Sequence, residues 1–164
     1  MAGMRFADVA ELAWSHVRGS GEARRVTYTM GKTDKAKDVL LIAPAASILA
    51  RYEHRRGTER FVFPLLDGAV QSGQYDAGPV RRAKALDGAN AVTNKYLKRI
   101  AAEAGVEKRL SFHIARHSFA DIALQAGWEV AAISKALAHG SLRQTEVYLS
   151  SLRQDVDERH RDLF

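Results

Sequence analysis

From Ala89 onward, apolar residues recur at helical spacing and the pattern is broken at Gly105, Gly127 and Gly140, each where a helix would need a left-handed stop. This punctuation predicts four successive helices, over about 89–104, 112–126, 129–138 and 142–152. Ser141 and Gln144 have the S-x-x-Q spacing of a capping box that opens the last of them. In the second helix, Phe112, Ala115, Phe119, Ile122 and Ala126 form the expected core stripe. His113 and Arg116, spaced i, i+3, share the face beside it and are expected to border the core without joining it.

The N-terminal half reads differently. Phe6, Val9, Ala10 and Ala13 predict a short amphipathic helix over 5–14, with Arg5 at its start near unpaired backbone N–H groups. The runs "RRVTYTM" and "KDVLLIA" are β-rich, and "GKTDKA" between them reads as a hairpin turn using Gly31 and Asp34, with Lys32, Lys35 and Lys37 at its tip. Pro44 opens a helix to about Arg56, with Ile48, Leu49 and Tyr52 on its apolar side, and "RFVFP" is a brief extended segment. Residues 67–88 are glycine-rich and aperiodic, which predicts a loop with at most a late helical turn. The expected fold class is α+β, mainly helical, with a small antiparallel sheet near the N-terminus.

Composition narrows the chemistry. The 164 residues, 46% of them hydrophobic, suffice for one domain with a real core, and the formal charge of +6 favours a polyanionic partner. With no cysteine, thiol nucleophiles, disulfides and cysteine-ligated zinc are excluded. No stretch approaches the roughly 18 apolar residues of a membrane span, and Asp8 and Glu11 interrupt the N-terminal segment where a signal peptide is apolar, so a cytoplasmic location is expected. His113 and His117 stand i, i+4, but Ile114 occupies the position where H-E-x-x-H has glutamate. "GKT" at 31–33 lacks the earlier glycine of a phosphate loop, since Val26 stands there.

Taken singly, Arg5, Lys32, His139 at a helix end and Tyr148 two turns into the last helix each have an ordinary structural reading. Their order is more specific. "AGMRFADVAELAWSHV", "MGKTDKAKDV", "FHIARHSFADIALQAG" and "LAHGSLRQTEVYL" resemble the first arginine box, the lysine hairpin, the H-x-x-R box and the histidine and tyrosine boxes of the tyrosine recombinases, the phage integrase family.

The resemblance implies a catalytic set of Arg5, Lys32, His113, Arg116, His139 and Tyr148. A phosphodiester is anionic, and a tyrosine with a pKa of about 10 is mostly protonated at neutral pH, so such a site must supply positive charge and move protons. By resemblance Arg5 and Arg116 clamp the nonbridging oxygens, Lys32 protonates the departing 5′ oxygen, His113 assists proton transfer, His139 hydrogen-bonds the phosphate and Tyr148 attacks phosphorus. Asp8 and His117 would have supporting roles. No metal or cofactor is expected, because the acidic residues are scattered and a two-metal site needs convergent carboxylates. The implied partner is double-stranded DNA, bound as a homotetramer, with the free chain monomeric or weakly associated.

Two other readings compete: a type IB topoisomerase-like DNA relaxation activity, and a truncated remnant that binds DNA without cutting it. Family members carry an N-terminal DNA-clamping domain and further helices before the first box. The chain, residues 1–164, is therefore expected to be a single catalytic domain lacking both, either a fragment or a natural truncation. Ala138 stands where the family commonly has glycine, which should be tolerated if that residue has helical torsions. The tail, "SSLRQDVDERHRDLF", has too few apolar residues to hold a helix unaided and, by resemblance, docks on a neighbouring subunit. Deleting residues 153–164 should impair recombination more than first-strand cleavage; equal losses in both assays would instead place the tail on its own domain.

Overall fold

The computed structural model describes residues 3–139 together with Ser141, Arg143, Thr145 and Glu146. Six helices and three strands run in the order α1 (Phe6–Ala10), β1 (Val17–Arg18), β2 (Arg25–Thr29), β3 (Ala36–Leu40), α2 (Ala43–Ala50), α3 (Asp67–Gln71), α4 (Pro79–Glu103), α5 (Phe112–Gln125) and α6 (Val130–Leu137) among these residues. The expected mainly helical α+β class is what is seen.

The strands form one antiparallel sheet in the order β1-β2-β3. Val26 pairs with Val17 on one side and Val39 on the other. Alternation does the rest: Val26 and Tyr28 of β2 point into the core, while Arg25 on the other face grips Asp38 through Nε at 2.8 Å and Nη2 at 2.9 Å. The hairpin turn is closed by the Met30 amide, which donates to the Lys35 carbonyl at 3.0 Å, and Asp34 supplies the left-handed residue at φ 50°. Met30 itself is fully buried, so the base of the turn is anchored in the core while its tip projects.

The main core gathers Met4, Leu12, Trp14, Val26, Met30, Leu49 and Val62 from both ends of the N-terminal half. A second cluster, Ala120, Ala123, Ile133 and Leu137, joins α5 to α6, and a third, Ala10, Phe61, Leu66 and Tyr75, lies under α3 and α4.

Several expectations change. The first helix stops at Ala10 and is followed by a 3-10 turn at Trp14–His16, because Ala13 instead pairs with Phe61 in an isolated antiparallel bridge. The Pro44 helix ends at Ala50, with a separate 3-10 turn at Glu53–Arg55. The expected loop over 67–88 holds α3 and the first ten residues of α4, which starts at Pro79, a residue whose fixed φ and missing N–H suit a first helical turn. Arg82 stabilises that start by gripping Glu11 of the α1 end at 2.6 Å with both Nε and Nη2, and the Tyr75 hydroxyl donates to the same carboxylate at 2.6 Å. Burial alone would raise the Glu11 pKa, but the hydrogen bonds from Arg82 and Tyr75 outweigh it and hold the carboxyl below its ordinary value.

The buried face of α5 is Arg116, Ala120 and Ala123, not the expected stripe. Ile122 is 65% exposed and Ala115 also faces outward, whereas Phe112 and Phe119 are partly buried as expected. Arg116 thus belongs to the core side of the helix instead of bordering it. The last expected helix, its capping box and the tail lie outside the described residues, apart from Ser141, Arg143, Thr145 and Glu146.

Ala138 ends α6 with φ 50° and ψ 47°, so its torsions are left-handed and the condition for easy tolerance is not met. An L-residue there costs about 1–2 kcal/mol relative to right-handed torsions. Its methyl is buried in the main core, which offsets roughly 0.8 kcal/mol, and glycine would add unfolded-chain entropy of about 0.4–1 kcal/mol. Ala138→Gly should therefore leave stability within about 1 kcal/mol, while Ala138→Val, branched and larger at a left-handed buried position, should cost roughly 2–4 kcal/mol. Urea denaturation of the two variants checks this; a stable Ala138→Val protein would contradict the left-handed assignment.

Candidate active site

Local folding accounts for where each candidate residue sits. Arg5 precedes α1 in an extended conformation, so its side chain leaves the helix instead of lying along it. Its Nη1 is buried with no hydrogen-bond partner among the described residues. Lys32 sits on the projecting tip of the β2–β3 hairpin and is exposed. That tip is tied to α1 by Asp8, 8% exposed, whose Oδ1 accepts the Gly31 N–H at 3.1 Å. Asp8 thereby fixes the residue next to Lys32.

Arg116, 5% exposed, donates Nη1 to the Gly3 carbonyl and Nη2 to the Leu137 carbonyl. One guanidinium so joins the segment before Arg5, helix α5 and the end of α6. Gly3 is suited to this approach, since its φ is 61° and a Cβ there would lie 2.5 Å from Leu137 Cδ2. One turn of α5 earlier, His113 is exposed and meets His117 edge-on, ring centroids 4.6 Å apart.

Arg5, Lys32, His113 and Arg116 line one open cavity of about 620 Å³, together with Phe6, Asn90, Asn94 and Ser111 among others. His139 is outside this lining. Its Nδ1 lies 2.8 Å from the Thr145 hydroxyl, and Thr145 is fully buried. Burial, then the charges of Arg116 and Arg5, hold the His139 imidazole below its ordinary pKa, which places it within electrostatic reach of both arginines. His117 is also lowered, by burial and then by His113 and Arg116. Tyr148, the expected nucleophile, lies outside the described residues. Among the described residues no three histidine, aspartate or glutamate side chains come together as metal ligands would.

Some cavity residues had not been singled out in the sequence. Asn90 and Asn94 reach the cavity from α4, and an i, i+4 asparagine pair on a helix just ahead of the H-x-x-R box was the available signal. Lys37 was noted at the hairpin tip but given no part. Its Nζ donates to the Ala136 carbonyl at 3.1 Å and to the Lys135 carbonyl, so it satisfies the end of α6. Burial, followed by the charges of Lys35, Arg116, Lys135 and Arg5, lowers its pKa.

Residues 1–155 match the profile of the phage integrase family. The chain belongs to that family. It is 32% identical over 151 residues to tyrosine recombinase XerC 1 of Ralstonia nicotianae, covering 87% of this chain and 40% of the relative. It is 29% identical over 155 residues to tyrosine recombinase XerC of Leptospira interrogans, covering 93% and 45%. The chain thus spans less than half the length of these curated relatives. Among solved structures, the XerH site-specific recombinase bound to palindromic difH substrate in a post-cleavage complex superposes with a TM-score of 0.65 at 25% identity, over 97% of this chain and 42% of that one. XerA recombinase, at 19% identity, shares the fold with a TM-score of 0.64, over 96% of this chain and 52% of that one.

The two lowered histidines set a pH dependence. In the unfolded chain each titrates near about 6.5, whereas in the folded protein each takes up its proton at lower pH. Below that point the unfolded state binds more protons, so stability rises with pH through this range and falls as pH drops. The thermal midpoint of the DNA-free protein should therefore decline between about pH 7.5 and 5.5, and His139→Gln should flatten the decline. A midpoint that rises on acidification would contradict the lowered values.

Proposed function

We propose that residues 1–164 act as a single catalytic domain that cleaves and rejoins duplex DNA strands through a 3′-phosphotyrosyl intermediate, the chemistry of site-specific recombination in integration or excision. The observation that carries this reading is that Arg5, Lys32, His113 and Arg116, far apart in sequence, line one cavity. Membership of the phage integrase family and the likeness to a site-specific recombinase bound to its DNA substrate support it.

In this reading Arg5 and Arg116 hold the nonbridging oxygens and stabilise the charge of the pentacoordinate transition state. The Tyr148 oxygen attacks phosphorus as the bond to the 5′ oxygen breaks. Lys32 gives its proton to that oxygen, His113 assists the transfer of the tyrosine proton, and His139 hydrogen-bonds the phosphate. The ester retains the bond energy, so a 5′ hydroxyl from a second strand reverses the step. Duplex DNA is the partner, with a homotetramer assembled on it and a monomer or weak oligomer when free. No helix among the described residues is long and apolar enough to cross a membrane.

Tyr148→Phe should abolish covalent capture of a nicked suicide duplex while leaving DNA binding nearly unchanged, because only the nucleophilic oxygen is removed. An adduct persisting in that variant would exclude Tyr148 as the nucleophile. Lys32→Ala should be at least about 100-fold slow on ordinary DNA, the usual scale of general-acid catalysis, and largely rescued on a 5′-bridging phosphorothiolate, whose sulfur leaves without a proton. Equal defects on both substrates would remove Lys32 from that part.

A further inference from the structure

Two asparagines on α4 face the cavity, and a backbone group fixes how both are oriented. The first amide of α5, Phe112 N–H, donates to Asn94 Oδ1 at 2.7 Å. Ser111, the residue that should cap this helix, makes no side-chain capping bond, so Asn94 does so from another helix. Because an N–H can only be received by the amide oxygen, Asn94 must present Oδ1 to α5 and Nδ2 to the other side. There Nδ2 donates to Asn90 Oδ1 at 3.0 Å, one turn back on α4. Asn90 therefore has its oxygen committed. Its Nδ2 is left as the donor group, with no hydrogen bond among the described residues, on a side chain that lines the same cavity as Arg5, Lys32, His113 and Arg116.

We infer that Asn90 is a DNA-binding residue, its Nδ2 donating to a backbone phosphate oxygen, and that Asn94 is a positioning residue that holds this donor in place from the N-terminus of α5. Asparagine amides commonly contact the nucleic-acid backbone in this way, without reading sequence. The same relay sets the start of the helix that carries His113 and Arg116, so phosphate contact and helix position are coupled through two hydrogen bonds. The inference rests on the DNA-cleavage reading for its ligand, but its test does not require cleavage.

The experiment measures the thermal midpoint of the full chain and its affinity for a fluorescent DNA duplex at fixed salt, with covalent capture on the nicked duplex recorded separately. Asn90→Ala should weaken duplex binding about 5- to 10-fold, the worth of one hydrogen bond, with little change in midpoint. Asn94→Ala should lower both. Asn94→Asp keeps an acceptor for Phe112 N–H and should restore the midpoint. It should not restore affinity, because Asn90 then turns its Nδ2 toward the new carboxylate and away from the cavity. Unchanged affinity in Asn90→Ala, or a midpoint in Asn94→Asp as low as in Asn94→Ala, would overturn the relay. Absence of covalent capture by the unaltered chain would instead count against the cleavage reading, and the order of affinities would still decide this inference.

Discussion

The Arg116 guanidinium and the two backbone carbonyls it holds, those of Gly3 and Leu137, are the interaction on which the site's assembly rests. A permanent charge removed from water is costly unless its N–H groups find acceptors, often by several kcal/mol. Here that requirement is met only if the segment before α1 and the end of α6 both come to α5. The same contact sets Arg5, two residues after Gly3, and His139, two residues after Leu137, around Arg116. The left-handed Ala138 is the local consequence: the chain leaves α6 sharply between the carbonyl that Arg116 needs and the imidazole that follows.

Further ties complete the arrangement, each using a short polar side chain against a backbone group or a carboxylate against an arginine. Asp8 holds the hairpin tip to α1 through Gly31, and Glu11 holds the start of α4 to α1 through Arg82 and Tyr75. The Tyr75 hydroxyl, pushed up to about 12 by burial and by its hydrogen bond to Glu11, stays protonated and keeps donating across the physiological range. Helix α1 is only five residues long, yet the hairpin and α4 are both fastened to it or to the residue just after it. Its brevity matters little, since its position is fixed by its neighbours more than by its own helical stability.

How much of this was legible in the sequence varied with the kind of signal. The hairpin was legible because β-rich runs stand on both sides of a turn, although only Asp34 of the two named turn residues takes a left-handed conformation. The beginning of α4 was not, since Gly68, Gly73, Gly78 and Gly88 all lie within residues 67–88 and mask the period. Tertiary contacts that no local pattern reveals hold that segment: Ala85, Leu86 and Ala89 pack against the third core cluster, and Arg82 pairs with Glu11. In α5 the large apolar Ile122 was expected inside, but close contact with α6 favours the small Ala120 and Ala123, and Ile122 is left outside. Arg5, Lys32, His113 and Arg116, which line the cavity, were named in the sequence only through the resemblance of their boxes to the family's, since each alone has an ordinary structural reading. Asn90 and Asn94 were not named, since their relation to α5 depends on how two helices pack.

Ion pairs distribute the net charge of +6 unevenly over the fold. Arg25 with Asp38, Arg55 with Asp67, Arg60 with Asp76, Arg82 with Glu11 and Arg99 with Glu103 each place a carboxylate against a guanidinium that does not line the cavity. Among the described residues no such bridge involves Arg5 or Lys32. Arg116 donates to the neutral carbonyls of Gly3 and Leu137. Several acidic side chains are thus occupied elsewhere in the fold, and the cavity lining sets Arg5, Lys32 and Arg116 against the single carboxylate of Asp87, so positive charge prevails there. His139 and His117 stand outside that lining, and their lowered pKa values come first from burial and then from neighbouring positive charge, that of Arg116 and Arg5 on His139 and of His113 and Arg116 on His117, since both effects disfavour a protonated imidazole.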